Sequence, residues 1–314
     1  MPELSVVLIV NRRRERGARA LGAILAQSAI ARLEVLLFDF GHKVFPPLPG
    51  SEHPAVTTIV VQKPSSLGAV RLLAFQQSSS PWVAFTEEHV QVLPGWAEAL
   101  LDRIEVGEWA GIGSEVRNLR SESRMGDAFY VLNFGRFSAP ADEGPCAVLT
   151  GNNAAYRRDA VLALGVDLPD LLEMEPLLNW RLTKHGHILG IEPRARIVHA
   201  NEPDLLAFVE ANFVFSRLFG ALRGNAQGWS RATRIVWAAS APVLPLIRLA
   251  RLLRFVAARR PAALGAVLLS SPALLASQYS SVVGQSIGLL IGEGHSRHEF
   301  LTLDLDAPRE EPRM

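Results

Sequence analysis

Trp82-Val83-Ala84-Phe85-Thr86-Glu87-Glu88-His89 decides how this chain is read. Trp82 to Phe85 has the length and apolar content of a short buried strand. Two carboxylates and an imidazole follow, and Pro94-Gly95-Trp96 opens a helix. Strand ends in α/β sheets are where ligands bind. Glu87, a skipped residue and His89 can hold a divalent cation against a diphosphate. A solvated acidic turn beside a histidine is the other reading, and these residues alone favour it; the rest of the chain reverses that preference.

Upstream, Ser5 to Val10, Leu33 to Phe38 and Val56 to Val61 are apolar, β-branched runs that read as buried strands. Between them, Leu21, Ile24 and Leu25 fall at helical spacing within Arg16 to Gln27, and Ser65-Ser66 precedes a helix over Leu67 to Gln77. Strands alternating with helices at this spacing predict βαβ units and an α/β fold with a mostly parallel central sheet. Right-handed crossovers put the strands' C-terminal ends on one side. Asn11, Asp39 and Glu87-Glu88-His89 should therefore gather there.

Downstream, Pro94 to Ile104 reads as a helix and Ala110 to Val116 as a strand. Arg117 to Pro145 reads as a long irregular loop, the kind that is functional or mobile in a compact domain. Leu171 to Lys184 reads as one helix, and Ile188 to Ile191 and Arg196 to Val198 as two short strands, the second ending at His199.

From about Asp204 the pattern changes. Leu205 to Leu222 is helical, and Arg248, Arg251 and Arg254 recur every third residue opposite Leu249, Leu252, Leu253 and Val256, a basic amphipathic helix. Ala262 to Ile291 has no charged residue and is long enough to span a bilayer, but Pro272, six serines and two glutamines interrupt it. Two readings stand: helices packed on the catalytic domain or a partner subunit, or an interfacial or re-entrant association with anionic lipid, which the arginine face favours. The expected domains are residues 1–203, a C-terminal helical, membrane-associated region over 204–292, and a loose charged tail over 293–314.

Composition sets outer limits. With 314 residues, 49% of them hydrophobic, the chain can bury a sizeable core. A net charge of +1 implies no nucleic acid or other polyanion as partner. One cysteine, Cys146, excludes an intramolecular disulfide framework and a multi-cysteine zinc site. Met1-Pro2-Glu3-Leu4 has no basic region before its apolar run, so no secretory signal is expected. The mean hydropathy, +0.18, is high for a soluble enzyme.

From about Ser5 to Asn201 the chain resembles the family 2 glycosyltransferases, inverting enzymes of GT-A fold that move a sugar from a nucleoside-diphosphate donor to an acceptor. Ser5 to Arg12 resembles the family's opening strand without its Pro-Thr-Tyr, and Leu36 to Gly41 the second strand with its Asp-Asp-Gly turn. Gly68 to Arg71 is similar to the Gly-to-Arg segment, Glu87-Glu88-His89 stands at the Asp-x-Asp metal motif, and Gly151-Asn152-Asn153 is similar to the segment lining the donor and acceptor pocket. Met174-Glu175 aligns with the Glu-Asp pair that carries the general base, and Arg196 to His199 resembles the late strand ending in histidine.

The resemblance implies roles. Glu175 takes the place of the base, with Glu173 its rival if the register slips by two. Glu87, His89 and His199 resemble an Asp-x-His variant of the metal site and imply a divalent cation, Mg or Mn. Asn11, Asp39, Arg71, Glu88, Asn152 and Asn153 fall at donor-binding positions: Asp39 toward the base, Arg71 toward a phosphate. No aspartate remains in the metal motif, and the Gln-x-x-Arg-Trp motif of processive synthases is absent, so few sugars per encounter are expected. The implied acceptor is lipid-linked or a polysaccharide, met at the cytoplasmic face of the inner or plasma membrane. Two other classes are to be weighed: a non-catalytic nucleotide-sugar-binding relative, and a nucleotidyltransferase, whose usual glycine-rich loop after the first strand is missing here.

Overall fold

The computed structural model describes residues 1–61, 65–119, 124–151, 153–200 and 204–306. The chain forms two compact units: residues 1–117 with 136–199, and residues 118–135 with 200 onward.

The first unit is an α/β layer structure. Its sheet comprises β1 (Leu4–Val10), β2 (Leu33–Asp39), β3 (Val56–Val60), β4 (Trp82–Glu87), β5 (Val90–Val92), β6 (Trp109–Asn118), β7 (Gly144–Cys146), β8 (Ala154–Arg157) and β9 (Ile188–His199). The order is β3-β2-β1-β4-β8-β6-β9-β5, with β7 also on β9. The expected parallel arrangement holds across β3-β2-β1-β4. β8 runs antiparallel to β4 and β6, and β5 and β7 run antiparallel to β9.

Every residue of β1 is buried, as a central strand covered on both faces requires. Helix α1 (Arg14–Leu25) buries Ala20, Leu21 and Ile24, one stripe at helical spacing. Leu21 and Ile24 each contribute about 1.5–3 kcal/mol over leaving them in water. Helix α2 (Leu67–Gln77) starts at Ser66, whose hydroxyl accepts from the Ala69 amide at 3.1 Å. Helix α3 (Trp96–Glu105) buries Trp96 and Leu100.

Two predictions are corrected by proline. The single helix expected over Leu171 to Lys184 is two: α6 (Leu168–Glu173) and α7 (Glu175–Lys184), parted at Met174. Pro176, in α7's first turn, has no N–H to return to the Leu172 carbonyl, so the helix cannot run through. The two short strands expected around Pro193 are one twelve-residue strand, β9. β7 pairs with it over Leu189–Ile191 and β5 over Ile197–His199, so Pro193 falls between those two ladders. The short helix between β8 and α6 is α5 (Arg158–Leu162).

The second unit is helical. The loop expected over Arg117 to Pro145 contains a helix, α4 (Arg124–Phe134), whose aromatic side chains find a core in this unit: Phe129 stacks on Phe208 with ring centroids 3.7 Å apart. This is why 118–135 groups with the C-terminal helices rather than with residues 1–117. The others are α8 (Leu205–Ala226), α9 (Arg231–Ala239), α10 (Leu244–Arg259), α11 (Leu264–Leu269), α12 (Ser271–Ile291) and α13 (Ser296–Asp306). The expected loose tail begins with α13, where Leu301 is buried and Phe300 meets Phe215.

α8 and α12 are each long and apolar enough to cross a membrane, and α9 with α10 passes the same test as a pair bent by 61°. α8 and α12 meet through glycine. A Cβ on Gly220 would overlap the Gln285 carbonyl, and one on Gly284 or Gly288 would overlap the Phe213 or Arg217 carbonyl. Gly220 and Gly284 each open a Gly-x-x-x-Gly step. The Ser216 and Ser281 hydroxyls pair at 2.8 Å, and Ser280 donates to the Val209 carbonyl at 2.7 Å. Small residues and interhelical hydroxyl bonds are how helices associate where apolar surroundings give no hydrophobic drive. Ser280 and Ser281, which interrupt the apolar run in sequence, join it to its neighbour.

Candidate active site

β1, β2 and β4 end side by side. Ile9 pairs with Glu87 and Val10 with Asp39, so Asn11, Asp39 and Glu87 leave adjacent strands together. Glu88 is buried and its Oε2 accepts from the Asn11 amide at 3.5 Å.

His199 comes from far along the chain. β5 follows His89 directly and pairs antiparallel with the end of β9, Val90 opposite His199. That register sets the His89 and His199 rings edge to face, centroids 4.9 Å apart. His89 Nε2 lies 3.0 Å from Glu87 Oε2. One ligand atom from each of Glu87, His89 and His199 lies within 4.8 Å of the others. Adjacent donors about 2.2 Å from one ion stand about 3.1–3.6 Å apart, and opposite ones about 4.4 Å, so small side-chain movements toward a common centre make this a ligand set. Two imidazoles and one carboxylate suit a first-row ion such as Mn²⁺ better than Mg²⁺, which prefers oxygen.

Glu175 is the first residue of α7, where a carboxylate is favoured by the helix dipole. It pairs with Arg71 Nη1 on α2. Arg71 Nη2 stands 4.0 Å from Glu87 Oε1, so Glu87 and Glu175 face one guanidinium. Gly151 leaves the room: a Cβ there would overlap the Glu175 carboxylate. Below it, Tyr156 is fully buried. Burial first, and then the Glu175 charge, push its hydroxyl upward, and as a neutral donor it bonds Asn179 Oδ1 at 3.1 Å.

The remaining residues fall as follows. Asp39 is buried and accepts from Arg14 Nη1 and Nη2 at 2.7 and 2.9 Å and from the Gly41 amide at 2.9 Å. Asn153 is buried, and its Oδ1 accepts from Trp96 Nε1 at 3.3 Å. Asn152 lies outside the described residues. Arg71, expected toward a phosphate, is 5% exposed, and its Nη1 also donates to the Leu172 carbonyl at 2.8 Å. Glu173, the rival base, is fully buried and its Oε2 accepts from the Gly68 amide at 2.6 Å, capping the start of α2. Reading the sequence missed Arg14 as the partner of Asp39 and Gly151 as the seat of Glu175. The arginine run after β1 and the glycine before Asn152 were the available signals.

No family model and no curated protein sequence matches the chain. The mannosyltransferase PcManGT from Pyrobaculum calidifontis, solved with GDP-Man and Mn²⁺, is similar in structure: TM-score 0.60 at 14% identity, over 92% of this chain and 87% of that one. GalNAc-T7, solved with UDP, GalNAc and Mn²⁺, gives a TM-score of 0.45 at 12% identity, over 63% of this chain and 43% of that one. The chain thus spans under half the length of GalNAc-T7. The fold of the present chain is the GT-A fold.

Proposed function

We propose that this chain is an inverting glycosyltransferase of the family 2 kind, moving a sugar from a nucleoside-diphosphate sugar to a hydroxyl of a lipid-linked or polysaccharide acceptor. The observation that carries the proposal is the β5–β9 register. It draws Glu87, His89 and His199 into a cation-sized cluster at the strand ends of a GT-A sheet, with Glu175 facing the same guanidinium as Glu87.

Glu87, His89 and His199 would hold a divalent cation, which supplies Lewis-acid neutralisation of the leaving diphosphate. Glu175 accepts the acceptor hydroxyl's proton as the oxygen attacks the anomeric carbon and the bond to the diphosphate breaks. One displacement by the acceptor itself gives inversion. Asp39, braced by Arg14, faces the nucleoside, and Asn11 and Glu88 line the donor.

We assign the helical unit to the cytoplasmic face of a membrane. Val236, Trp237, Leu246 and Ile247 are exposed on the bent α9–α10 pair, and Arg251 and Arg254 are exposed on α10, as an anionic bilayer surface would require. The full chain should sediment with phosphatidylglycerol vesicles, and Arg251→Ser/Arg254→Ser should sediment less. Equal sedimentation of the two proteins would count against the lipid face.

The function is tested by thermal stabilisation across a panel of nucleotide sugars, with and without Mn²⁺, because a ligand bound only by the folded state raises its stability. Donor hydrolysis is measured on the best ligand. A Mn²⁺-dependent donor that is turned over supports the enzyme, binding without turnover makes the chain a non-catalytic relative, and no stabilising nucleotide sugar rejects the reading.

A further inference from the structure

In the chemistry above Glu87 and Glu175 act separately, yet one buried cation joins them. Arg71 pairs through Nη1 with Glu175 and places Nη2 4.0 Å from Glu87. It is also tied to the backbone, because Nη1 donates to the Leu172 carbonyl at 2.8 Å. That carbonyl is released from the helix ladder by Pro176, four residues on. Phe85 lies under the guanidinium, 6.0 Å from centroid to carbon. A cation held by backbone and ring cannot follow either carboxylate, so its charge is a fixed feature that the two share.

We propose that Arg71 is a positioning residue that couples cation binding at Glu87, His89 and His199 to the placement of Glu175. The proposal rests on the divalent-cation reading of that cluster. A divalent ion and a guanidinium on the same carboxylate repel one another in a desolvated site. Ion binding therefore draws Glu87 off Arg71 and leaves the guanidinium to Glu175 alone, fixing the base when the diphosphate site is charged. Coupling is reciprocal. Removing the charge of Glu175 leaves the charge of the fixed guanidinium to Glu87 alone, so the ion should bind less tightly although Glu175 is no ligand.

The test is a Mn²⁺ titration of the full chain followed by electron paramagnetic resonance, needing neither donor nor acceptor. Arg71→Met should bind Mn²⁺ about 5- to 150-fold more tightly than the parent, the ordinary range of coupling between sites. Arg71→Lys keeps the charge but loses the fork, so its Mn²⁺ affinity should lie nearer to the parent's than that of Arg71→Met. Glu175→Gln should bind more weakly, and in the Arg71→Met background that loss should shrink. Should Arg71→Met not fold, Glu175→Gln carries the test by itself. Unchanged or weaker binding by Arg71→Met, no weakening by Glu175→Gln, or additive effects in the double variant would each overturn the coupling and leave the cation site standing. Absence of Mn²⁺ binding in every protein would overturn both.

Discussion

The two ends of β1, β2 and β4 treat carboxylates in opposite ways. At the N-terminal end, Glu34 stands opposite Ser5 and is saturated by neutral donors. Ser5 Oγ donates to it, as do the Ser79 amide and hydroxyl, both at 2.7 Å, and the Ser80 amide at 3.2 Å. At the C-terminal end, Glu87 and Glu175 share one arginine, and Glu87 also faces His89. Neutral donors that fill a carboxylate's lone pairs tie three segments together and leave nothing to exchange. A shared cation leaves each carboxylate able to take a different partner. The first arrangement serves stability, the second chemistry.

Glu175→Gln should break this comparison most visibly. It keeps the shape of the side chain and removes the proton acceptor, so turnover should fall about 10²- to 10⁴-fold while the melting temperature moves little. Glu173→Gln is the control: as a helix cap it should cost stability and spare the rate, and the reverse result would move the base by two residues. Gly151→Ala comes next. Its methyl group would displace the Glu175 carboxylate, and a misplacement near 1 Å can cost about 10²-fold in turnover, read as kcat on the donor found in the panel. His89→Ala should weaken Mn²⁺ binding in the same resonance titration by at least the roughly 10- to 100-fold that losing an outer-shell partner costs; unaltered affinity would remove His89 from the ligand set.

The smallest effect belongs to the other end. Glu34→Gln should lower stability by about 1 kcal/mol in urea unfolding, allowing for solvent screening, and leave turnover alone. Burial raises the Glu34 carboxyl, but hydrogen bonds from Ser5, Ser79 and Ser80 outweigh it and hold it below its ordinary 4.5. A carboxyl lowered in the folded state stabilises in full above that ordinary value. The contribution drains away as pH falls toward the folded value. The stability gap between parent and Glu34→Gln should therefore narrow below about pH 4.5. A gap that is constant down to pH 3 would mean that the serines do not hold the ionised form.

Much of this contrast was legible before any coordinates. The apolar runs marked β1 to β4, and their spacing placed Asn11, Asp39 and Glu87 at the same end of the sheet. What stayed hidden were partners distant in sequence: Arg14 on Asp39, Arg71 between two acids, and the serines around Glu34. Hydrogen-bond partners such as these leave no periodicity to read. The helix α4 was missed for a related reason. Arg117 to Pro145 is punctuated by Gly, Ser and Pro like a loop, and its aromatics make sense only against Phe208, in α8.

Sequence by itself determined the α/β alternation, the strand ends that carry acids and histidine, and the apolar helices after Asp204. These follow from hydrophobic period and local breakers, which act over a few residues. Tertiary structure alone decided that His199 meets His89, that Pro176 frees a carbonyl for Arg71, and that Gly220 and Gly284 let α8 and α12 touch backbone to backbone. Each depends on strand register or close packing between segments remote in the chain, and no local pattern encodes which remote partner will arrive.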